Sequence, residues 1–247
     1  MLNNAWPSLI WHLYDYYLRP GGGYFGAKKA CEPVHIQYSY DDKSVVVVNS
    51  LFTENKGLKA TAVVYNLDLS VKFSKSAEVN ANPDSSTRVF TIPEVPGLTK
   101  TYFVRLTLAG RDGNVLSHNF YWLSTQPDVS DWKASTWYYT PLSSYADLSG
   151  LQTLSKVKLR VACRTEERNG ENKTQVSLQN PSSELAFFIH LRVTKGQSGE
   201  EVLPVFWEDN YFELMPGEKR EIAAAYRAED LGGATPMVEV DGWNLED

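Results

Sequence analysis

The chain has 247 residues, of which 43% are hydrophobic and 22% charged, a composition that excludes a disordered or collagen-like protein. Its net charge of −6, from 24 basic and 30 acidic residues, argues against a nucleic-acid partner, because phosphate-backbone binding needs a surplus of Lys and Arg. No stretch approaches the roughly 18 apolar residues that cross a bilayer, so we expect no membrane span.

The first segment, up to Pro33, has helical spacing. Residues 8–19 are predicted to form an amphipathic helix, because apolar side chains recur there at intervals of three and four residues and Pro7 suits a first helical turn. Pro20 and the glycines after it end that helix. A further turn or two of helix is predicted at residues 27–31. The apolar positions of the first helix are Leu9, Ile10, Leu13, Tyr14 and Tyr17.

After Pro33 the period changes to two, which is typical of strands with one buried face. Val34, Ile36 and Tyr38 alternate with polar residues in the first of these strands. Seven short strands in about ninety residues predict an immunoglobulin-like sandwich over residues 34–125. The predicted strands are residues 34–40, 44–49, 60–66, 71–75, 88–92, 102–109 and 115–122.

Turn-forming residues around Pro127 lack any period, and we place a domain boundary there. Strands resume beyond it, and the apolar alternation of residues 187–193 requires one buried face. The predicted organisation is therefore mainly β, with a helical segment (residues 1–33) before two tandem immunoglobulin-like β-sandwiches (residues 34–125 and 126–247). The second set of predicted strands is 157–165, 173–179, 186–194, 202–206, 211–214, 218–225 and 237–241.

Groups that could carry catalysis are sparse. Adjacent acidic residues in turns point in opposite directions, so we expect solvated carboxylates rather than a catalytic pair. The histidines and the two cysteines lack the spacing of a metal site or a catalytic triad, so no metal, cofactor or catalytic residue is predicted. His35 and His190 are predicted to be exposed, and Cys163 to be buried. The acidic pairs are Asp41-Asp42, Glu166-Glu167, Glu200-Glu201 and Glu208-Asp209.

Aromatic residues are the unusual feature, with 7 Trp, 14 Tyr and 10 Phe. Sugars stack their apolar C–H faces on aromatic rings, which makes Trp132, Trp137 and Tyr138 candidates for a carbohydrate platform. The alternative is packing between domains, since aromatic residues next to a linker supply the apolar area that such an interface needs.

Several motifs resemble glycoside hydrolase family two, in the branch of exo-beta-D-glucosaminidases and beta-mannosidase-like enzymes. They run along the whole chain, and the first of them is similar to the last strand and helix of that family's catalytic (β/α)8 barrel. The motifs are Met1 to Ser8, Gly22 to Ala30 with Glu32-Pro33, Val34 to Tyr40, Asn119 to Trp122, Trp207 to Phe212 with Pro216 to Glu218, and Asp241 to Trp243.

The resemblance implies a C-terminal accessory or scaffold region of a retaining exo-glycosidase that cleaves beta-D-glucosaminides or beta-D-mannosides. It places both catalytic glutamates upstream, so the chain alone is expected to be inactive. Asn3, Asn4 and Trp6 are the candidates for lining the sugar subsite, because residues at the C-terminal end of a barrel strand face the active site.

The implied partners are the upstream catalytic barrel of the same protein and an oligosaccharide substrate, and the implied location is secreted or periplasmic. Two other functions are consistent with a pair of β-sandwich domains. One is a module that binds carbohydrate independently through its aromatic residues. The other is an adhesive pair of domains unrelated to a hydrolase, which leaves the segment before Pro33 unexplained.

Overall fold

A computed structural model describes residues 12–197 and 199–246 of the chain. The chain divides into two compact units. One comprises residues 29–154, and the other combines the N-terminal residues through Lys28 with the residues from Ser155 onward. Strands dominate both units, which confirms the mainly-β class. The domain boundaries at residues 33 and 125 stay a prediction.

The unit of residues 29–154 is a two-sheet sandwich. One sheet has three strands in the order β1-β2-β5, and the other has four in the order β4-β3-β6-β7, with every neighbouring pair antiparallel. A short ladder, β8-β9, follows them. The strands are β1 (Val34–Tyr38), β2 (Ser44–Asn49), β3 (Asn55–Asn66), β4 (Val71–Ala81), β5 (Ser85–Thr91), β6 (Thr101–Ala109), β7 (Val115–Ser124), β8 (Val129–Ser130) and β9 (Leu142–Ser144).

The core of this sandwich forms where alternating side chains of the two sheets meet. In β3 and β6 the buried positions recur every second residue, as a strand with one covered face requires. The first predicted strand is confirmed at Val34–Tyr38, and its Ile36 is fully buried. Core side chains include Ile36, Val45, Val47, Val64, Leu106 and Leu108.

Tyr38 gives this unit a predicted sensitivity to alkali. Burial raises the pKa of Tyr38 to about 12, with smaller contributions from Tyr102, Tyr40 and Asp42. The folded-state pKa lies above the unfolded value of about 10, so ionisation favours the unfolded chain. The stabilising contribution of Tyr38 is therefore complete below pH 10 and is lost as the pH rises toward 12.

We expect the free energy of unfolding to fall over this interval, and Tyr38→Phe to reduce the fall. Urea titrations at pH 9, 10 and 11 measure it. An unchanged pH dependence in the variant contradicts the assignment to Tyr38.

The second unit is also a sandwich. One sheet has the order β10-β11-β15-β13 and the other the order β14-β12-β16. Its core includes Val176, Leu178, Ile189, Leu191, Trp207 and Ile222. The strands are β10 (Arg160–Arg168), β11 (Glu171–Gln179), β12 (Ala186–Lys195), β13 (Phe206–Trp207), β14 (Phe212–Leu214), β15 (Lys219–Arg227) and β16 (Pro236–Asp241).

A helix from the other end of the sequence completes this core. Helix α1 (Gly22–Ala30) contains Phe25, which is 2% exposed and packs among the core residues of the second sandwich. Lys28 Nζ donates to the carbonyl oxygens of Trp207 (2.9 Å) and Glu208 (2.8 Å). A side chain at Gly22 would meet the Phe188 ring at 3.1 Å, so the glycine permits this close packing. None of the helices among the described residues is long and apolar enough to cross a membrane.

The predicted helix at residues 8–19 is wrong over residues 12–19, and its first residues lie outside the described part. Residues 13–21 form a tight hairpin, with Tyr14 bridged to Pro20. Asp15 Oδ1 accepts hydrogen bonds from the backbone N–H groups of Tyr17 (2.8 Å) and Arg19 (2.9 Å). This aspartate favours a turn over a helix, because its side chain competes for the backbone donors.

Candidate functional site

Residues 126–147, here called the aromatic hairpin, form an ordered projection of the first unit. Strands β8 and β9 pair at its base, and Asp131 N–H donates to the Pro141 carbonyl at 2.8 Å. Asp131 Oδ1 then accepts from Lys133 N and Ala134 N at 3.1 and 3.2 Å, which caps a 3₁₀ turn at Trp132–Ala134.

The tip of the aromatic hairpin is closed by its own polar groups. The backbone N–H of Thr136 donates to the Tyr139 carbonyl (2.7 Å), and the hydroxyls of Ser135 and Thr140 hydrogen bond at 2.7 Å. The backbone that carries the aromatic residues is thus fixed by hydrogen bonds inside the hairpin.

The candidate platform residues project from this frame into solvent. Trp132, Trp137 and Tyr138 are 76%, 94% and 66% exposed. Trp137 and Tyr138 lie with their ring centroids 5.0 Å apart and their planes at 65°. The three side chains therefore pack against little of the chain that the structure describes, and their role as a platform stays a prediction. Tyr139 and Tyr145 are exposed as well, and sequence reasoning had not included Tyr145.

The charge of the aromatic hairpin is mostly negative. It contains Asp128, Asp131 and Asp147 against one cation, Lys133. Asp147 accepts hydrogen bonds from the Ser149 hydroxyl (2.5 Å) and backbone N–H (3.1 Å), which lower the pKa of its carboxyl, as does Lys100. This carboxylate remains ionised in mildly acidic solution.

The predicted subsite residues Asn3, Asn4 and Trp6 lie outside the described residues. Their proposed contact with sugar stays a prediction.

Three carboxylates of the acidic pairs, those of Glu201, Glu208 and Asp209, hold parts of the fold together. Glu208 Oε2 accepts the Ala223 backbone N–H at 2.9 Å, while Asp209 is paired with Arg220 and 7% exposed, so the expectation of solvated carboxylates is wrong here. Glu201 pairs with Arg19 at 2.6 Å. Three further members of these pairs are bound to neighbouring cations, namely Asp42 to Arg88, Glu166 to Arg164 and Glu200 to Lys195.

The two histidine predictions are also wrong. His35 is 4% exposed, because its ring nitrogens hydrogen bond the Glu32 carbonyl (2.9 Å) and the Gln37 side chain (3.2 Å). His190 is largely covered, since it stacks on Tyr211 with centroids 4.6 Å apart and bonds Asp241 Oδ1 at 3.1 Å. Their positions on the polar phase of a strand therefore reflect hydrogen-bonding partners rather than contact with water.

Cys163 is exposed, in contrast to the prediction that it is buried. It lies in β10, the outer strand of its sheet, where all nine residues are exposed. Its partner Val176 on β11 is fully buried, so the covered face ends one strand before Cys163. Among the described residues no three His, Cys, Asp or Glu side chains group as metal ligands.

Comparison with known proteins matches both sandwiches. Residues 137–245 match the exo-beta-D-glucosaminidase Ig-fold domain family, and residues 42–126 match the mannosidase Ig/CBM-like domain family. An exo-beta-D-glucosaminidase of Streptomyces avermitilis is 45% identical over 99% of this chain. A mannosylglycoprotein endo-beta-mannosidase of Lilium longiflorum is 27% identical over 99% of it.

A crystal structure of the exo-chitosanase CsxA of Amycolatopsis orientalis aligns over 99% of this chain, with a TM-score of 0.94 and 42% identity. The chain covers only part of these proteins, namely 28% of the Streptomyces protein, 30% of the Lilium protein and 29% of the Amycolatopsis chain. The resemblance to the exo-glucosaminidase and mannosidase branch, inferred from the motifs, is confirmed.

Proposed function

We propose that this chain is the C-terminal accessory region of an exo-beta-D-glucosaminidase, in which it supports a catalytic barrel formed by the preceding part of the same protein. The observation that carries the proposal is the 42% identity and TM-score of 0.94 with the Amycolatopsis exo-chitosanase across 99% of this chain. The two sandwiches act as scaffold, and the parent enzyme supplies the chemistry.

The carboxylates of the acidic pairs support a non-catalytic role. Retaining hydrolysis needs two carboxyl groups about 5 Å apart that flank the scissile bond. Glu208 is bound to a backbone N–H, and Asp209 and Glu201 are each paired with an arginine. These groups are occupied in holding the fold, so the acid/base and the nucleophile of the proposed enzyme come from upstream.

Glucosamine is the proposed sugar. The similarity to the Streptomyces glucosaminidase, at 45% identity, exceeds that to the Lilium endo-mannosidase, at 27% over the same share of the chain. Mannose is the alternative.

The segment at residues 12–20 offers a contact surface for the proposed barrel. Its hairpin displays three consecutive apolar side chains, Tyr16, Tyr17 and Leu18, all exposed. Arg19 holds the hairpin to the second sandwich through Glu201. An exposed apolar turn is suited to packing against another part of the parent protein. Asn3, Asn4 and Trp6 are proposed to line the sugar subsite of that parent.

The parent is proposed to act outside the cytoplasm, in a secreted or periplasmic location. Its substrate would be a polysaccharide or an oligomer of one, and such polymers do not cross a membrane unaided. Fractionation of cells with an antibody against this chain tests the location.

An activity assay tests the function. We expect the chain alone to release no p-nitrophenol from p-nitrophenyl beta-D-glucosaminide, and the chain combined with the preceding polypeptide to release it faster than from the beta-D-mannoside. The preceding polypeptide without this chain is the control. Hydrolysis by the chain alone contradicts the non-catalytic assignment, and inactivity of the combined protein on both sugars contradicts the glycosidase itself.

A further inference from the structure

We infer that the aromatic hairpin binds oligomers of beta-linked glucosamine in their protonated form, at a site that belongs to this chain alone. The inference deepens the proposed function, because the choice of an amino sugar rests on it. The binding itself requires no catalytic barrel.

The fixed frame is the first reason. Ordering a flexible loop on binding costs conformational entropy, which a preformed loop avoids. Here β8 and β9, the Asp131 cap and the Ser135–Thr140 contact hold the backbone before any ligand arrives. Trp and Tyr add large contact areas with few rotatable bonds.

The aromatic surface is the second reason. Trp137 is 94% exposed and meets Tyr138 nearly edge to face, so the two rings present faces in different directions. Leaving this much aromatic area in water is costly, and a ligand that covers it recovers the loss. The hydroxyls of Ser135, Thr136 and Thr140 are bonded inside the hairpin, so the contact that it offers is mainly aromatic, which suits the apolar C–H face of a sugar.

The charge selects an amino sugar. The aromatic hairpin holds three carboxylates against one ammonium, that of Lys133, within a chain of net charge −6. One of the three, Asp147, is paired with Lys100 at 3.4 Å, which leaves one net negative charge. A protonated glucosamine unit placed on Trp137 gains a cation–π attraction in addition to the stacking of its C–H face.

Calorimetric titration of this chain tests the site with two hexamers, one of glucosamine and one of N-acetylglucosamine. We expect the glucosamine hexamer to bind more tightly, because acetylation removes the charge. Trp137→Ala is expected to raise Kd by about 10-fold or more, as truncation of a central aromatic contact does elsewhere. Phe52→Ala is the matched control, since Phe52 is 90% exposed in a loop away from the aromatic hairpin in sequence. It should leave Kd unchanged.

A charge variant provides an independent readout. Lys133→Gln removes the one cation of the aromatic hairpin, so it should tighten binding of the glucosamine hexamer by about two- to fivefold, the scale of an exposed charge pair. It should not change binding of the acetylated hexamer. Because Trp137 and Lys133 are exposed, both variants are expected to melt at the temperature of the unmodified chain.

Any one of three results would overturn the inference. The first is the absence of a heat of binding with either hexamer at millimolar concentration, and the second is equal affinity for both hexamers. The third is a Trp137→Ala variant that binds the glucosamine hexamer as tightly as Phe52→Ala does. If Trp137→Ala instead weakens only the association with the preceding polypeptide, the aromatic hairpin is a protein contact. These measurements involve no hydrolysis, so they succeed or fail separately from the glucosaminidase assay.

Discussion

Replacing Phe25 with alanine is expected to destabilise the second sandwich by about 3 to 5 kcal/mol, the usual cost of deleting a buried phenyl ring. Phe25 is 2% exposed, and its ring centroid lies 4.9 Å from that of Tyr24 and 6.0 Å from that of Tyr211. Removing the ring loses the favourable free energy of transferring it from water into the core, and it leaves a cavity among the core residues. Chemical denaturation followed by tryptophan fluorescence, with Trp207 in the same core, measures the change.

Phe52→Ala is the control for this prediction, because the same group is removed from a side chain that is 90% exposed. Surface substitutions of this kind change stability by less than about 0.5 kcal/mol. Equal stability of the Phe25→Ala variant and the unmodified chain would show that α1 is not part of the core.

Asn244→Ala is expected to cost about 2 to 4 kcal/mol, because it leaves buried backbone groups without partners. Asn244 is 2% exposed and bonds two other segments of the chain, one at Ser155 and one at residues 185–187. Its Nδ2 donates to the carbonyl oxygens of Ser155 and Leu185, both at 2.7 Å, and its Oδ1 accepts the Phe187 N–H at 2.8 Å. Thermal melting of the variant against the unmodified chain measures the loss.

Asn114→Ala is the matched control for Asn244→Ala. Asn114 also donates through its side chain, to Asp112 Oδ2 at 2.6 Å, but it is exposed and water replaces the bond. We expect it to change stability by less than about 0.5 kcal/mol. A similar small effect at Asn244 contradicts the assigned bonding.

The strands are the part of the fold that the sequence predicts well. In β12 the alternation of residues 187–193 places Ile189, Leu191 and Val193 in the core, and the structure buries all three. Burial of one sheet face imposes a period of two on the sequence, so the signal is local and readable. The predicted span of 186–194 differs from Ala186–Lys195 by one residue.

Local pattern predicts only the last part of helix α1, at residues 27–31, and misses its start at Gly22, because tertiary packing overrides propensity there. Residues 22–30 include three glycines, which disfavour a helix, whereas residues 8–19 have better helical spacing. Helix α1 forms where Phe25 and Lys28 find partners that lie far away in the sequence. The alternating pattern does not predict the burial of His35 or the exposure of Cys163 either, because each depends on contacts in the folded structure that periodicity does not reveal.

For the candidate platform, the sequence shows only that aromatic residues are concentrated in one stretch of the chain. Four aromatic residues stand at positions 132 and 137–139, and the sequence alone left packing between domains as the alternative. The exposure of each ring separates these alternatives, and it cannot be read from the sequence because it depends on the fold around the hairpin.

The position of α1 in the sequence also affects how the protein is made. The ribosome releases Phe25 well before the core residues that receive it, from Val157 to Leu245, and the whole first sandwich is synthesised in between. At about 5 to 20 residues per second, the helix waits on the order of 10 s or more for its partner. A helix of nine residues is not stable alone in water, so the segment stays unfolded and its phenyl ring stays uncovered during that time. The first sandwich can therefore fold during translation before the second, which closes only after the residues through Leu245 have emerged.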